Sequence, residues 1–357
     1  MTVQDTNELT PQGWADRWAQ GAGPKPPART IDVHTHLLVP EAAEMTRPHY
    51  QPEMDPRTFY SSPRSTELNK EFYAAARGRF TTAPTRIADM DAMGIDVQVV
   101  AITPFQYYYW ADEQLSPRVA SLSNERIAET VRADRSRFVG LGTLPLAHIE
   151  AACVEARRVV EEYGFTGVEI GTDVNGVDLD DARFEPLWEV LEDLGLVVLL
   201  HPAGFTQGER LTDYYLVNVI GMPLSSTVSV TRMILGGVFE RHPALTMLVV
   251  HGGGYLTYYA ARTDHAFRHR PELREHIDRL PSEYLKQLYF DTTVFDARML
   301  EQLVSTYGAD HVLLGTDYPF DMGEPDPLKL IGDARLSQSE RDLIVGGNAA
   351  RLFRLQL

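Results

Sequence analysis

Cysteine is almost absent: one residue, Cys153, stands in 357, so no disulfide can form within the chain. That scarcity points to a reducing compartment. Basic residues are also short, with 33 Lys and Arg against 50 Asp and Glu, a formal net charge of -17. Such a field disfavours nucleic acid and anionic membrane surfaces as partners. It does not exclude a small anionic substrate, because a few local arginines can override the global charge. No stretch approaches the ~20 apolar residues of a membrane span, and the first thirty residues carry no apolar secretory core. A cytoplasmic enzyme is therefore expected. No G-x-G-x-x-G follows an early strand, which disfavours a nicotinamide-dependent oxidoreductase, and no organic cofactor is expected. Internal repeats and low-complexity tracts are absent too.

What is present is a regular alternation of short apolar runs and helical periodicity. Strands are predicted at Thr30–Val33, Val97–Ile102, Phe138–Leu144, Gly167–Gly171, Val197–His201, Met247–His251, Leu288–Thr292 and Val312–Thr316. Helices are predicted between them, most clearly at Ala83–Met93, Pro117–Asp134, Ile149–Glu162, Asp181–Leu194, Ser225–Arg241, Leu256–Phe267 and Ala297–Tyr307. Runs such as Leu196–Leu200 are apolar throughout, as in a parallel sheet buried on both faces. Eight strands alternating with helices predict an α/β fold, a (β/α)8 TIM barrel. A doubly wound open sheet is the alternative. Residues 1–28 read as a loosely ordered N-terminal arm and 29–357 as a single barrel domain. Proline-rich residues 39–80 form an insertion after strand one, and 203–224 another after strand five.

The chemistry gathers at strand ends. In Ile31-Asp32-Val33-His34-Thr35-His36 the two histidines are spaced i, i+2 and project from one face of a strand. Alone, such a pair is more often core than metal site. His201 closes strand five, His251 closes strand six ahead of Gly252-Gly253-Gly254, and Asp317 follows strand eight. A buried strand terminus is a costly place to leave an imidazole or carboxylate unpaired, and here five such residues share one end of four strands. His34, His36, His201 and Asp317 suit one divalent metal, zinc rather than manganese, with a further position for water or substrate. His251 then stands beside the metal as an acid/base, able to take a proton from water whose pKa the metal lowers toward ~7. The glycines after His251 read both as room above the metal and as a turn before the next helix.

This pattern resembles the amidohydrolase superfamily. His251-Gly252-Gly253-Gly254, Gly315-Thr316-Asp317-Tyr318-Pro319-Phe320 and Gly347-Asn348-Ala349 resemble more narrowly its decarboxylase branch, of the aminocarboxymuconate semialdehyde decarboxylase type. Arg86-Ile87-Ala88-Asp89-Met90-Asp91, Gly221-Met222-Pro223 and Gly236-Gly237-Val238-Phe239-Glu240-Arg241 carry the likeness over roughly residues 30 to 355. The resemblance implies zinc on His34, His36, His201 and Asp317, with His251 as catalytic acid/base beside Asp317. It also implies a homodimer. Binuclear members carry a strand-four lysine, but Tyr163 to Asp180 contains none, which favours one metal over bridging by Glu169. Other branch members replace the first histidine with glutamate and use manganese; keeping His34 places the chain nearer the zinc-dependent members or the related hydratases.

The expected reaction is nonoxidative decarboxylation, a carbon–carbon lyase reaction on an unsaturated or aromatic carboxylic acid. The alternative is a hydratase or hydrolase on the same mononuclear site. A small carboxylated substrate calls for cations. Arg262 matches a family arginine supplied across the dimer interface, its alternative being a surface arginine; Arg77, Arg79 and Arg47 are candidates for a second. Tyr108 and Trp110 after strand two and Tyr214 in the strand-five insertion are candidate aromatic walls, or else pack loops over the barrel mouth.

Overall fold

The apolar runs become strands whose alternate side chains feed two cores. A computed structural model describes residues 10–21 and 25–355. Its strands are β1 (Ile31–Leu37), β2 (Val97–Ile102), β3 (Phe138–Gly140), β4 (Gly142–Thr143), β5 (Gly167–Ile170), β6 (Asp173–Val174), β7 (Val177–Asp178), β8 (Val197–Leu200), β9 (Thr246–Val249), β10 (Tyr289–Asp291) and β11 (Val312–Leu313). Two parallel sheets, β1-β2-β3 and β11-β10-β9-β8-β5-β4, account for all but the β6–β7 hairpin. The sheets are continuous at both junctions. On one side β3 and β4 are a single run of chain in which the Leu141 N–H donates to Val100 C=O at 2.9 Å. On the other, Val33 N–H donates to Leu314 C=O at 2.9 Å and Asp317 N–H to His34 C=O at 2.9 Å. The ring is thus an eight-position α/β barrel, as the alternation predicts, and not an open sheet.

Parity along the strands decides which residues meet. Val198, Leu200, Val249 and Phe290 pack outward with helical residues such as Leu187, Trp188, Ile234 and Leu300. Val99, Val197, Leu199, Leu248 and Val250 meet one another in a smaller cluster, as the layers inside a barrel do. The first strand runs four residues further than predicted, to Leu37, so both histidines lie within it. Its pairing with β2 shifts register between Asp32 and Thr35, a bulge of the kind that re-aims side chains near sites. The predicted helix 225–241 is divided: Met222–Leu235 ends at Gly236, and Gly237 at φ 75° starts a new turn, Val238–Arg241.

Both insertions leave the barrel where predicted. Residues 39–80 fold into short helices, including Pro56–Phe59, and the longer Pro63–Thr81. The arm differs from expectation over 10–21, where it is docked. Thr10 caps the helix Pro11–Asp16. Trp18 is fully buried, its ring edge-on to Tyr318 at 5.0 Å. Arg17 donates to the carbonyls of Phe320 and Gly323 at 2.9 and 2.8 Å. The arm therefore braces the loop that carries Asp317. Residues 1–9 and 22–24 lie outside the described residues. No helix among the described residues is long and apolar enough to cross a membrane.

Candidate active site

The five strand-end residues converge. His34, His201, His251 and Asp317 each offer a ligand atom within 4.8 Å of the others. His36 joins them through its Nε2, 3.1 Å from Asp317 Oδ1, and its ring lies 4.8 Å from that of His201. His34 Nε2 stands 3.4 Å from the same oxygen. His251 and Asp317 both adopt the left-handed backbone region, at φ 56° and 61°. Non-glycine residues held there cost on the order of 1–3 kcal/mol and concentrate at functional sites.

The second nitrogen of each ligand-type ring is spoken for. His34 Nδ1 faces Asp291 Oδ2 at 2.6 Å, His36 Nδ1 faces Ile102 C=O at 3.2 Å, and His201 Nδ1 faces Pro202 C=O at 2.8 Å. Each acceptor fixes the tautomer with hydrogen on Nδ1 and a lone pair on Nε2. Those three Nε2 atoms and Asp317 Oδ1 are buried without a hydrogen-bond partner. Four buried polar atoms of complementary type, all aimed at one point, fit a cation and would otherwise each cost desolvation energy. His251 differs: its unpartnered atom is Nδ1, and its Nε2 lies 3.6 Å from Asp317 Oδ2.

Electrostatics suit the same arrangement at His201, His34 and Asp317; at His36 burial would lower the imidazole, but Glu169 and Asp317 raise it. Burial, then repulsion from His36, His251 and His34, holds the His201 imidazole well below its usual pKa. Burial also lowers His34. Burial would raise the Asp317 carboxyl, but the surrounding imidazoles, His34 foremost, hold it well below the usual carboxylate range. Beneath the site, burial pushes Glu169 up to about 7, with Tyr107 donating to its Oε1 at 2.6 Å.

Two supporting residues escaped the reading of the sequence. Asp291, at the end of β10, takes His34 Nδ1 together with the Gly252 N–H at 2.7 Å and Thr293 Oγ1 at 2.7 Å. Its signal was present: it ends an apolar strand as His201 does. Arg86 is fully buried, donates to Gln98 Oε1 at 2.9 Å and to the His36 carbonyl, and lies under the Tyr318 ring at 4.7 Å. The glycines after His251 are required by close approach: a Cβ on Gly252, Gly253 or Gly254 would run into Val294, Phe290 or the Pro223 carbonyl. They make a packed turn, and Gly254 also lines the cavity that opens on the site.

A cavity of about 390 Å³ opens on His201, His251 and Asp317, within the range of small-molecule sites. Its walls include Phe105, Phe320, Phe295, Tyr73 and Tyr255, and its cation is Arg57. None of the seven substrate-contact candidates from the sequence lines it. Arg47, Arg77 and Arg262 are exposed on helical surfaces. Arg79 is committed to Asp89 at 2.8 Å. Tyr108 is buried, accepting from Gln106 Nε2 at 3.2 Å, and Trp110 packs edge-on against it. Tyr214 is 89% exposed, while its neighbour Tyr215 faces the cavity. Tyr108 and Trp110 pack loop against loop, Trp110 also meeting Tyr50 of the first insertion at 6.1 Å.

The amidohydrolase family matches residues 31–355. The chain belongs to it. Within it, the 2-amino-3-carboxymuconate-6-semialdehyde decarboxylase of Dictyostelium discoideum is 33% identical over 328 residues, covering 91% of each chain. The gamma-resorcylate decarboxylase of Polaromonas sp. is 27% identical over 292 residues, 76% of this chain and 86% of that one. The fold matches 5-carboxyvanillate decarboxylase from Novosphingobium aromaticivorans at TM-score 0.81 and 23% identity. That match covers 95% of this chain and 99% of that one, whose crystal structure holds manganese and 4-hydroxy-3-methoxy-5-nitrobenzoic acid. These similar proteins are named as decarboxylases.

Proposed function

We propose that this protein is a metal-dependent lyase that removes a carboxylate, as carbon dioxide, from a small planar unsaturated or aromatic acid. The observation that carries the reading is the set of four unpartnered buried atoms, Nε2 of His34, His36 and His201 and Oδ1 of Asp317, with His251 beside them at the cavity floor. Those four would hold one divalent ion, zinc by their imidazole-rich chemistry. When bound, the ion supplies Lewis-acid polarisation of a substrate oxygen and acidifies water. His251 Nε2 faces Asp317 on one side and the cavity on the other. It moves the proton that replaces the departing carboxylate on the substrate carbon, so that carboxylate plus one proton gives carbon dioxide and the shortened product without any redox change. Phe105, Phe320 and Phe295 hold the planar skeleton, and the half-buried guanidinium of Arg57 attracts a substrate anion into a negatively charged protein.

A second copy of the chain would cover the exposed apolar side chains Val219, Val228, Tyr258 and Tyr259, two of them on the helix that carries Arg262. A homodimer in sedimentation at micromolar concentration is the expected state; a monomer there contradicts it. The activity is tested by carbon dioxide release from salicylates, carboxylated muconates and related diacids. His251→Ala should keep its metal and lose at least ~100-fold in turnover, the usual lower bound for a lost acid/base. Normal turnover in that variant, or water uptake without carbon dioxide release, overturns the reading.

A further inference from the structure

One carboxylate inside the barrel has no part in the chemistry proposed above. Glu169 lies on β5, in register with Leu199 of β8. Leu199 belongs to the inner cluster, so strand parity turns the Glu169 carboxyl into the barrel as well. Its side chain is fully buried. Tyr107 donates to Oε1 at 2.6 Å, and the Tyr107 ring is itself stacked on Tyr109 at 5.3 Å. Oε2 has no hydrogen-bond partner. Among the described residues Glu169 has one ion-pair partner, the His36 ring, whose Nδ1 stands 3.7 Å from Oε2.

The layers inside a barrel are ordinarily filled by Val, Ile and Leu. A carboxylate among them carries a desolvation cost, and a hydroxyl on one oxygen leaves the other oxygen uncompensated. The group that Oε2 faces is the hydrogen-bearing nitrogen of a ligand-type ring. His34 has the Asp291 carboxylate on its Nδ1 at 2.6 Å, and His201 has the Pro202 carbonyl at 2.8 Å. His36 has the Ile102 carbonyl at a longer 3.2 Å, with the Glu169 charge just beyond it. An imidazole that gives its Nε2 lone pair to a cation becomes positive at Nδ1–H, and an anion facing that hydrogen makes the ring a stronger ligand. Burial raises the Glu169 carboxyl, and His36 is the foremost influence against that rise. Because Oε2 faces Nδ1 and not Nε2, Glu169 stands behind the ring and outside the set of ligand atoms.

We propose that Glu169, anchored by Tyr107, is a positioning residue for His36: its carboxylate fixes the ring and strengthens its hold on the divalent ion. This deepens the metal reading and rests on it, but not on which acid is the substrate.

The test is zinc affinity, by competition with a chelator, beside the melting temperature of the metal-free protein. Glu169→Gln keeps the size of the side chain and an oxygen for Tyr107 while removing the charge. Affinity should fall on the order of tenfold, as it does when outer partners of metal-bound histidines are lost. The metal-free variant should melt at the wild-type temperature or above it, since a buried charge without a cation is gone. A side chain that only fills the barrel moves the melting temperature down and leaves affinity alone. Tyr107→Phe keeps the charge and frees it to turn, so it should weaken binding less than Glu169→Gln, and the double variant should bind no worse than Glu169→Gln. If Glu169→Gln does not fold, Glu169→Asp, which draws the charge back by one methylene, should still bind zinc more weakly by more than about twofold. Affinity within about twofold of wild type in the folded variant overturns the assignment, as does a lowered melting temperature with affinity unchanged. A wild type that binds no zinc overturns the metal reading itself, so the two failures are told apart.

Discussion

Asp291→Asn separates the metal from the scaffold behind it. The native carboxylate accepts from His34 Nδ1 at 2.6 Å, from the Gly252 N–H at 2.7 Å and from Thr293 Oγ1 at 2.7 Å, all buried. A hydrogen bond to a charged acceptor contributes roughly 1.5–3 kcal/mol and one to a neutral acceptor about 0.5–1.5. Replacing carboxylate by amide therefore weakens the hold on His34 by roughly 1–2 kcal/mol, about 5- to 30-fold in metal affinity. Loss of outer partners of metal-bound histidines costs on the order of 10- to 100-fold, which overlaps that range. Alanine would be a poorer probe, since it strands three buried donors at once. The assay is competition with a chelator of known affinity, with the melting temperature of metal-free protein as control. Affinity within about twofold of wild type, in a variant that folds normally, refutes the account of how His34 is oriented.

Two further outcomes follow from the same structure. Trp18→Ala empties a fully buried site against Tyr318 and should cost about 3–5 kcal/mol by chemical denaturation; turnover per folded molecule should also fall, because the arm braces the Asp317 loop, and an effect below about 1 kcal/mol contradicts that docking. Asp96 accepts from the Lys25 ammonium and from the Thr30 N–H at 3.0 Å. Burial alone would raise its carboxyl, yet those partners hold it below the usual value. Its stabilisation is therefore present above the unfolded pKa of about 3.9 and is lost as pH falls through the lower folded value. Asp96→Asn should melt earlier than wild type at neutral pH, with the gap closing in acid; a gap that widens in acid contradicts the assignment.

How far the sequence discloses this molecule depends on what sets each feature. Strand ends are legible because an apolar run followed by His201, His251 or Asp317 juxtaposes two incompatible environments, and only a shared partner reconciles them. Asp291 obeys the same rule and was open to it. The barrel follows from the alternation of eight apolar runs with helices, while the bulge in β1 and the break at Gly236–Gly237 depend on neighbours that periodicity does not encode. The cavity wall was not legible. Arg57 reaches it from a four-residue helix in an insertion of irregular path, and Tyr108 and Trp110 pack against each other and against Tyr50 of that insertion. The arm gave no signal beyond Trp14 and Trp18, large apolar side chains in a polar stretch, yet they anchor it, Trp18 on Tyr318 and Trp14 on Phe72.

The central claim is a single metal ion on His34, His36, His201 and Asp317, and elemental analysis of the purified protein tests it most directly. The account predicts one divalent ion per chain, zinc, retained in His251→Ala and lost in His36→Ala and His201→Ala. Two ions per chain, or a metal-free protein that still releases carbon dioxide, would contradict it.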